Sequence, residues 1–164
     1  MGTVVVAWRG TPGDAAHFDS IQDEILRAAL SEPAITVYTD GYPGDATDPL
    51  WQLGARWRID EQPAHVDILL APLARPPLHG SAVTRRVTAA MREGIPVIAT
   101  ARWPLRALIV DGVTGVLVSP NRRRDWNRAI LRLAQDSRVR AGVGTAAAHA
   151  AAAMPTGRRE GRGG

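Results

Sequence analysis

The chain has 164 residues, enough for one domain with a packed core, and 45% of them are apolar, an ordinary share for a globular protein. There is no cysteine, which excludes disulfides, thiolate metal sites and a cysteine nucleophile, and which is compatible with a reducing cytoplasm. The net charge of +4 hides an asymmetry: residues 1–80 carry 5 arginines against 11 acids (−6), and residues 81–164 carry 15 arginines against 5 acids (+10), with no lysine anywhere.

A basic second half suits an anionic ligand or partner on that side. The start, MGTVVVAWRG, has only a short apolar run broken by Arg9 and reads as no signal peptide. No stretch approaches the ~20 apolar residues of a membrane span. A cytoplasmic location is the expectation.

Thr3–Trp8, rich in β-branched residues, predicts a first strand. A helix should follow, with Phe18, Ile21, Ile25 and Ala28 at helical spacing and Asp14 or Asp19 as its cap. Ala34–Asp40 predicts a second strand closed by the turn residues of DGYPGD, and ARWRID a third. HVDILLAPL is almost continuously apolar, as expected of a strand covered on both faces. Val83, Val87, Ala90 and Met91 then make one stripe of a helix closed by Gly94.

IPVIAT predicts strand five, WPLRALIV a short helix and GVLVSP strand six. RRDWNRAILRLAQ is amphipathic, with Trp126, Ala129, Ile130 and Leu133 on one side, and an Ala-rich helix runs to about Ala152. Strands alternating with helices imply a single Rossmann-like α/β domain over residues 1–152, a doubly wound and mostly parallel sheet of about six strands. Residues 153–164 read as a disordered Arg/Gly tail. Ligands of such sheets bind at the carboxyl ends of the strands, which puts the loops after Trp8, Tyr38, Leu73, Thr100 and Pro120 on the functional rim.

In the second half the order DILLAPL, AAMREGIPVIAT, DGVTGVLVSP and RDWNRAILRLAQDSRVRAGVGTAAAHAA resembles the C-terminal, donor-binding domain of GT-B glycosyltransferases, family 4 in particular. The match runs from about Val66 to Ala151, and WRGTPGDAAHFDSIQDEIL is similar, more loosely, to the opening of that domain in one branch. The fold implied is half of a GT-B architecture, and the activity implied is a retaining, metal-independent glycosyl transfer that uses no cofactor. The implied partners are a nucleotide-sugar donor and either a second GT-B half, which would bring the acceptor, or another copy of the chain. No catalytic residue is assigned.

The resemblance places the donor diphosphate over the N-terminus of the helix near residues 81–93, where unpaired amides and the helix dipole favour anions. In ARPPLHGSAVTRR, Gly80 would permit close approach, Ser81 would offer a hydroxyl, and the Ala82 and Val83 amides would face phosphate. Arg75, Arg85 and Arg86, with Arg9 at the end of strand one, would add charge-assisted bonds. Taken singly, Ser81 or Thr84 reads as a helix cap and each arginine as solvated; taken together, the loop favours an anion. The family's two glutamates, with seven residues between them, should fall at Ser81 and Ala89, and neither is present. Arg86 stands where one branch has a basic residue, and Glu93 lies one turn beyond Ala89.

Asp111, Gly112, Thr114 and Gly115 read as a structural turn, the glycines accepting positive φ and Asp111 bonding amides of the turn; the resemblance implies that it lies near the donor. His17, His65, His79 and His149 lack metal-ligand spacing, and His79 alone falls on the expected rim. Two other functions compete with donor binding. One is a non-catalytic interaction module that keeps the fold without the donor site. The other is a nucleic-acid binder built on the Arg124, Arg128, Arg132 stripe, against which stand aromatics at only 5%.

Overall fold

The computed structural model describes residues 2–155, so the expected tail from residue 156 onward lies outside the described residues. Six strands, β1 (Val4–Arg9), β2 (Ile35–Asp40), β3 (Trp57–Ile59), β4 (Ile68–Ala71), β5 (Val97–Thr100) and β6 (Val116–Val118), form one sheet in the order β3-β2-β1-β4-β5-β6. Every pairing is parallel, with Val6 opposite Val37 on one side and Ile68 on the other. The order reverses between β1 and β4, and such a reversal opens a crevice at the carboxyl ends of the strands.

Alternation along the strands divides the core. Val4, Val6, Trp8, Val37, Leu70 and Ile98 face one layer, where Ile25 of α2 (Gln22–Ser31) and Ile130 and Leu133 of α5 (Asp125–Gln135) are fully buried. Ala7, Leu69, Ala71, Val97 and Ala99 face the other, under Val87 and Met91 of α3 (Ser81–Arg92) and Ala147 and Ala151 of α6 (Ser137–Ala152). Each large aliphatic buried in this way stabilises the fold by roughly 1.5–3 kcal/mol. Asp136 starts α6 by accepting from the Arg138 and Val139 amides at 3.1 Å, a cap of about 1 kcal/mol.

The expected first helix is broken in two. A short 3-10 turn, Pro12–Asp14, runs into α1 (Ala15–Asp19), and α2 begins afresh at Gln22. Asp14 caps no α-helix but closes a capping box at the 3-10 turn, its Oδ2 accepting from the Thr11 amide at 2.8 Å; Asp19 caps nothing, its Oδ1 accepting from Gln22 Nε2 and the Tyr42 hydroxyl, both at 3.3 Å. Gln22, only 1% exposed, opens the second segment: it also reaches Asp48 Oδ1 at 3.0 Å and accepts from the Leu50 amide at 3.1 Å. A buried amide must be satisfied on all sides, and these bonds fix the start of α2 and the loop beyond β2 together.

Two connections matter for function. Pro49–Arg56 forms a 3-10 segment, kinked at Gly54, before β3. From β3 the chain reaches β4 through residues 60–67 without a helix. A parallel crossover spanning two intervening strands normally takes a dozen or more residues and a helix. Its brevity leaves the flank of α3 uncovered on the side toward β1.

Candidate functional site

A cleft of about 290 Å³ lies along that flank, between α3 and the ends of β1 and β4. Its floor is apolar, from Leu69, Ala71 and Leu73, and its walls carry Arg9, Asp14, His17, Ala82, Arg86 and Glu93. Because no crossover helix stands in the way, the cleft runs past Ala89 to Glu93 and Ile95.

The upper end is the start of α3. The first α-helical bond there runs from the Thr84 amide to the Gly80 carbonyl at 3.0 Å, and no side chain among the described residues caps the helix. The amides of Ser81, Ala82 and Val83 therefore have no carbonyl within the helix, and the positive end of the helix dipole coincides with them. The loop feeding this end is anchored: the Leu73 amide donates to Thr100 Oγ1 at 2.8 Å, Arg102 Nε to the Leu73 carbonyl at 3.2 Å, and the Ala74 amide to His17 Nδ1 at 2.9 Å.

Charge is concentrated at the same end. Arg86 Nη1 donates to the Arg9 carbonyl at 2.8 Å, and both of its terminal nitrogens lie 3.4 Å from Asp14 Oδ2. Burial alone would push the Asp14 carboxyl up, but the Thr11 amide and hydroxyl and the Arg86 guanidinium outweigh it and hold it below its ordinary value. His17 is shifted down, first by burial and then by the cations Arg75 and Arg86, against the opposing pull of Asp14. It is neutral at pH 7, and since Nδ1 accepts a bond, its proton sits on Nε2.

Of the residues singled out in the sequence, Arg9, Ala82, Val83, Arg85 and Arg86 line the cleft. Arg75 is exposed in the loop close to His17. Ser81 is exposed at the head of α3, outside the cleft lining, with its hydroxyl capping nothing. Gly80 is buried, and a Cβ there would meet Pro104 Cγ at 2.8 Å and Trp103 Cη2 at 3.0 Å; those side chains, rather than open space, occupy the room that glycine leaves. His79 lines the cleft as expected of the rim.

The turn at Asp111–Gly115 is not part of this site. It feeds the amino end of β6, the edge of a parallel sheet opposite the start of α3, and none of Asp111, Gly112, Thr114 and Gly115 lines the cleft. Its two glycines also differ. Gly112 has φ +76, as expected, whereas Gly115 has no positive φ and is required because a Cβ would meet Ile109 Cγ2 at 2.8 Å and the Val97 carbonyl at 3.0 Å. Asp111 Oδ1 accepts from the Leu117 amide in β6 at 2.9 Å rather than from an amide of the turn, and Thr114 Oγ1 accepts from Val110 at 2.8 Å.

Asp14 and His17 were not legible as site residues. His17 and Ala74 are 57 positions apart, and the strand order that sets β1 beside β4 is what joins them. Among the described residues, no group of three or more His, Asp or Glu is placed to hold a metal ion. No helix among them is long and apolar enough to cross a membrane.

The family described as "Glycosyl transferases group 1" matches residues 51–136, more than half of the chain and the whole of α3 and its cleft wall. The chain belongs to the group 1 glycosyl transferases. No curated protein matches the sequence. Among solved structures, the C-terminal domain of the group 1 glycosyl transferase LpcC from Francisella tularensis aligns with a TM-score of 0.69 at 18% identity, covering 92% of this chain and 85% of that one. Anabaena Alr3699/HepE, in complex with UDP-glucose, aligns at 0.71 and 19% identity, covering 92% and 44%. Sucrose-phosphate synthase from Thermosynechococcus elongatus aligns at 0.69 and 18%, covering 93% and 41%. At these identities the alignments show a shared fold: this chain is a GT-B half-domain, and it spans less than half the length of the latter two proteins.

Proposed function

We propose that this group 1 glycosyl transferase domain binds the diphosphate of a nucleotide-activated sugar at the start of α3 and takes part in its transfer. The observation that carries the proposal is the uncapped helix end, whose Ala82 and Val83 stand on the cleft wall with Arg86 and Arg9 beside them. Open amides, a helix dipole and guanidiniums around an apolar floor suit a pyrophosphate whose attached groups need cover from water. HepE, of the same fold, is a protein seen with UDP-glucose.

In the transfer, this domain would stabilise negative charge growing on the leaving diphosphate, the kind of electrostatic help that is largest in a partly dehydrated site. The acceptor would come from a second Rossmann-like half facing the carboxyl edge of the sheet. Isothermal titration with UDP-, GDP- and ADP-sugars tests the proposal. Saturable heat with at least one of them, lost on Arg86→Ala, is expected; no heat with any of them contradicts it.

One observation favours a second function, an interaction module without transfer. Ala89 and Ser81 stand where the family resemblance calls for carboxylates, and Ala89 presents only a methyl to the cleft. Such a module would keep its partner after Arg86→Ala and bind no nucleotide.

A further inference from the structure

Two strands from β1 and the cleft, at the outer edge of the sheet, β3 borders an aromatic corner with a volume of about 370 Å³. Trp51 is 51% exposed and stands at 89° to Trp57, with ring centroids 6.4 Å apart. Trp57 cannot swing away: it is buried, and its Nε1 donates to Thr39 Oγ1 at 3.0 Å. Gly54, at φ +56, borders the opening, and nothing lies within 4 Å of where its Cβ would be. Arg58 and Glu61 form the polar rim, joined Nε to Oε2 at 2.8 Å, with both side chains nearly half exposed.

A single exposed tryptophan needs no explanation. Here two indoles meet at a right angle beside a donor–acceptor pair, which is a more demanding arrangement. The Arg58–Glu61 pair is neutral overall, so it offers little to a phosphate or a carboxylate. Among the described residues it leaves guanidinium N–H groups and one carboxylate oxygen free, side by side, a match for neighbouring hydroxyls. An indole face supplies the flat apolar surface on which the C–H face of a pyranose ring rests. The volume lies near the lower end of the range of about 300–1,000 Å³ typical of small-molecule sites.

We propose that this corner is a carbohydrate-binding subsite for a neutral pyranose unit, separate from the donor cleft and independent of whether that cleft binds nucleotide. The ring stacks on Trp51 within the corner made with Trp57, and Arg58 and Glu61 bond its hydroxyls. On a glycosyl transferase domain, such a subsite holds an oligosaccharide away from the donor.

Saturation-transfer NMR on the full chain, with neutral trisaccharides of glucose, mannose, galactose and N-acetylglucosamine in turn, tests the proposal. At least one should show transfer to its ring protons. Trp51→Ala, with an unchanged circular dichroism spectrum, should weaken it by roughly tenfold or more, Trp51→Phe should weaken it less, and Glu61→Gln should also reduce it. Arg86→Ala should leave it intact, which separates this site from the donor cleft. Absence of transfer from every trisaccharide, or equal transfer with Trp51→Ala, overturns the proposal. So does a Trp51→Ala change in sedimentation without saccharide binding, which would make the corner a contact between copies of the chain.

Discussion

Arg86 is held by Asp14: both of its terminal nitrogens lie 3.4 Å from Asp14 Oδ2, across 72 residues of sequence. The guanidinium best placed to meet a phosphate thus already has an anionic partner, and a donor must share it or displace it. Asp14→Asn removes the competing charge while keeping an oxygen for the Thr11 amide. It should tighten sugar-nucleotide binding severalfold in calorimetric titration. The substitution should also flatten the acid limb of stability. A carboxyl held below its ordinary value of 3.8 contributes stability that is present above 3.8 and lost as the pH falls through its lower folded value.

His17 sets a second pH dependence of the same sign, at higher pH. Its folded value lies below 6.5, so the unfolded chain takes up the proton first. Stability is full above 6.5, declines as the pH drops toward the lower folded value, and loses nothing more to His17 beyond it. Protonation also removes the acceptor of the Ala74 amide, which loosens the loop before α3. Urea midpoints measured across this window should fall with pH in the wild type and stay nearly level in His17→Gln, which should also bind donor more weakly at neutral pH.

The two glycines of the turn before β6 should respond differently to the same replacements. Gly112→Asn meets a left-handed conformation that asparagine tolerates and should cost well under about 1 kcal/mol. Gly115→Ala must displace Ile109 or the Val97 carbonyl and should cost about 1–3 kcal/mol. Chemical denaturation of both variants checks the difference, and neither should alter donor binding, because the turn stands apart from the cleft.

The sheet was legible because its signals are local. Runs such as VVVAW and ILLA are apolar on both faces, and Gly94, at φ +74, closes α3 where glycine is expected after a helix. What escaped is long-range. Beside the break at Ser20–Ile21, Gln22 bonds to Asp48 and Leu50, partners that helical periodicity does not reveal. Likewise the cleft owes its length to a missing crossover helix, and its charge balance to a carboxylate, Asp14, that reads in sequence as a helix cap.

Placing a negative charge where the phosphate is expected separates folding from binding. Ala82 is exposed in the first turn of α3, where an aspartate is favoured by the helix dipole by about 0.3–1 kcal/mol. Ala82→Asp should therefore fold at least as stably as the wild type and bind no sugar nucleotide. Thermal unfolding and titration of the same sample show both effects.

The most direct measurement is an amide-resolved NMR titration of the full chain with UDP-, GDP- and ADP-glucose. The predicted result is a saturable shift of the Ser81, Ala82 and Val83 amides with one of these donors, with smaller shifts at Arg9 and Ala74 and none at the Asp111–Gly115 turn. Shifts centred on another part of the chain, or no shift at the start of α3 with any donor, would contradict the claim that this helix end holds the diphosphate.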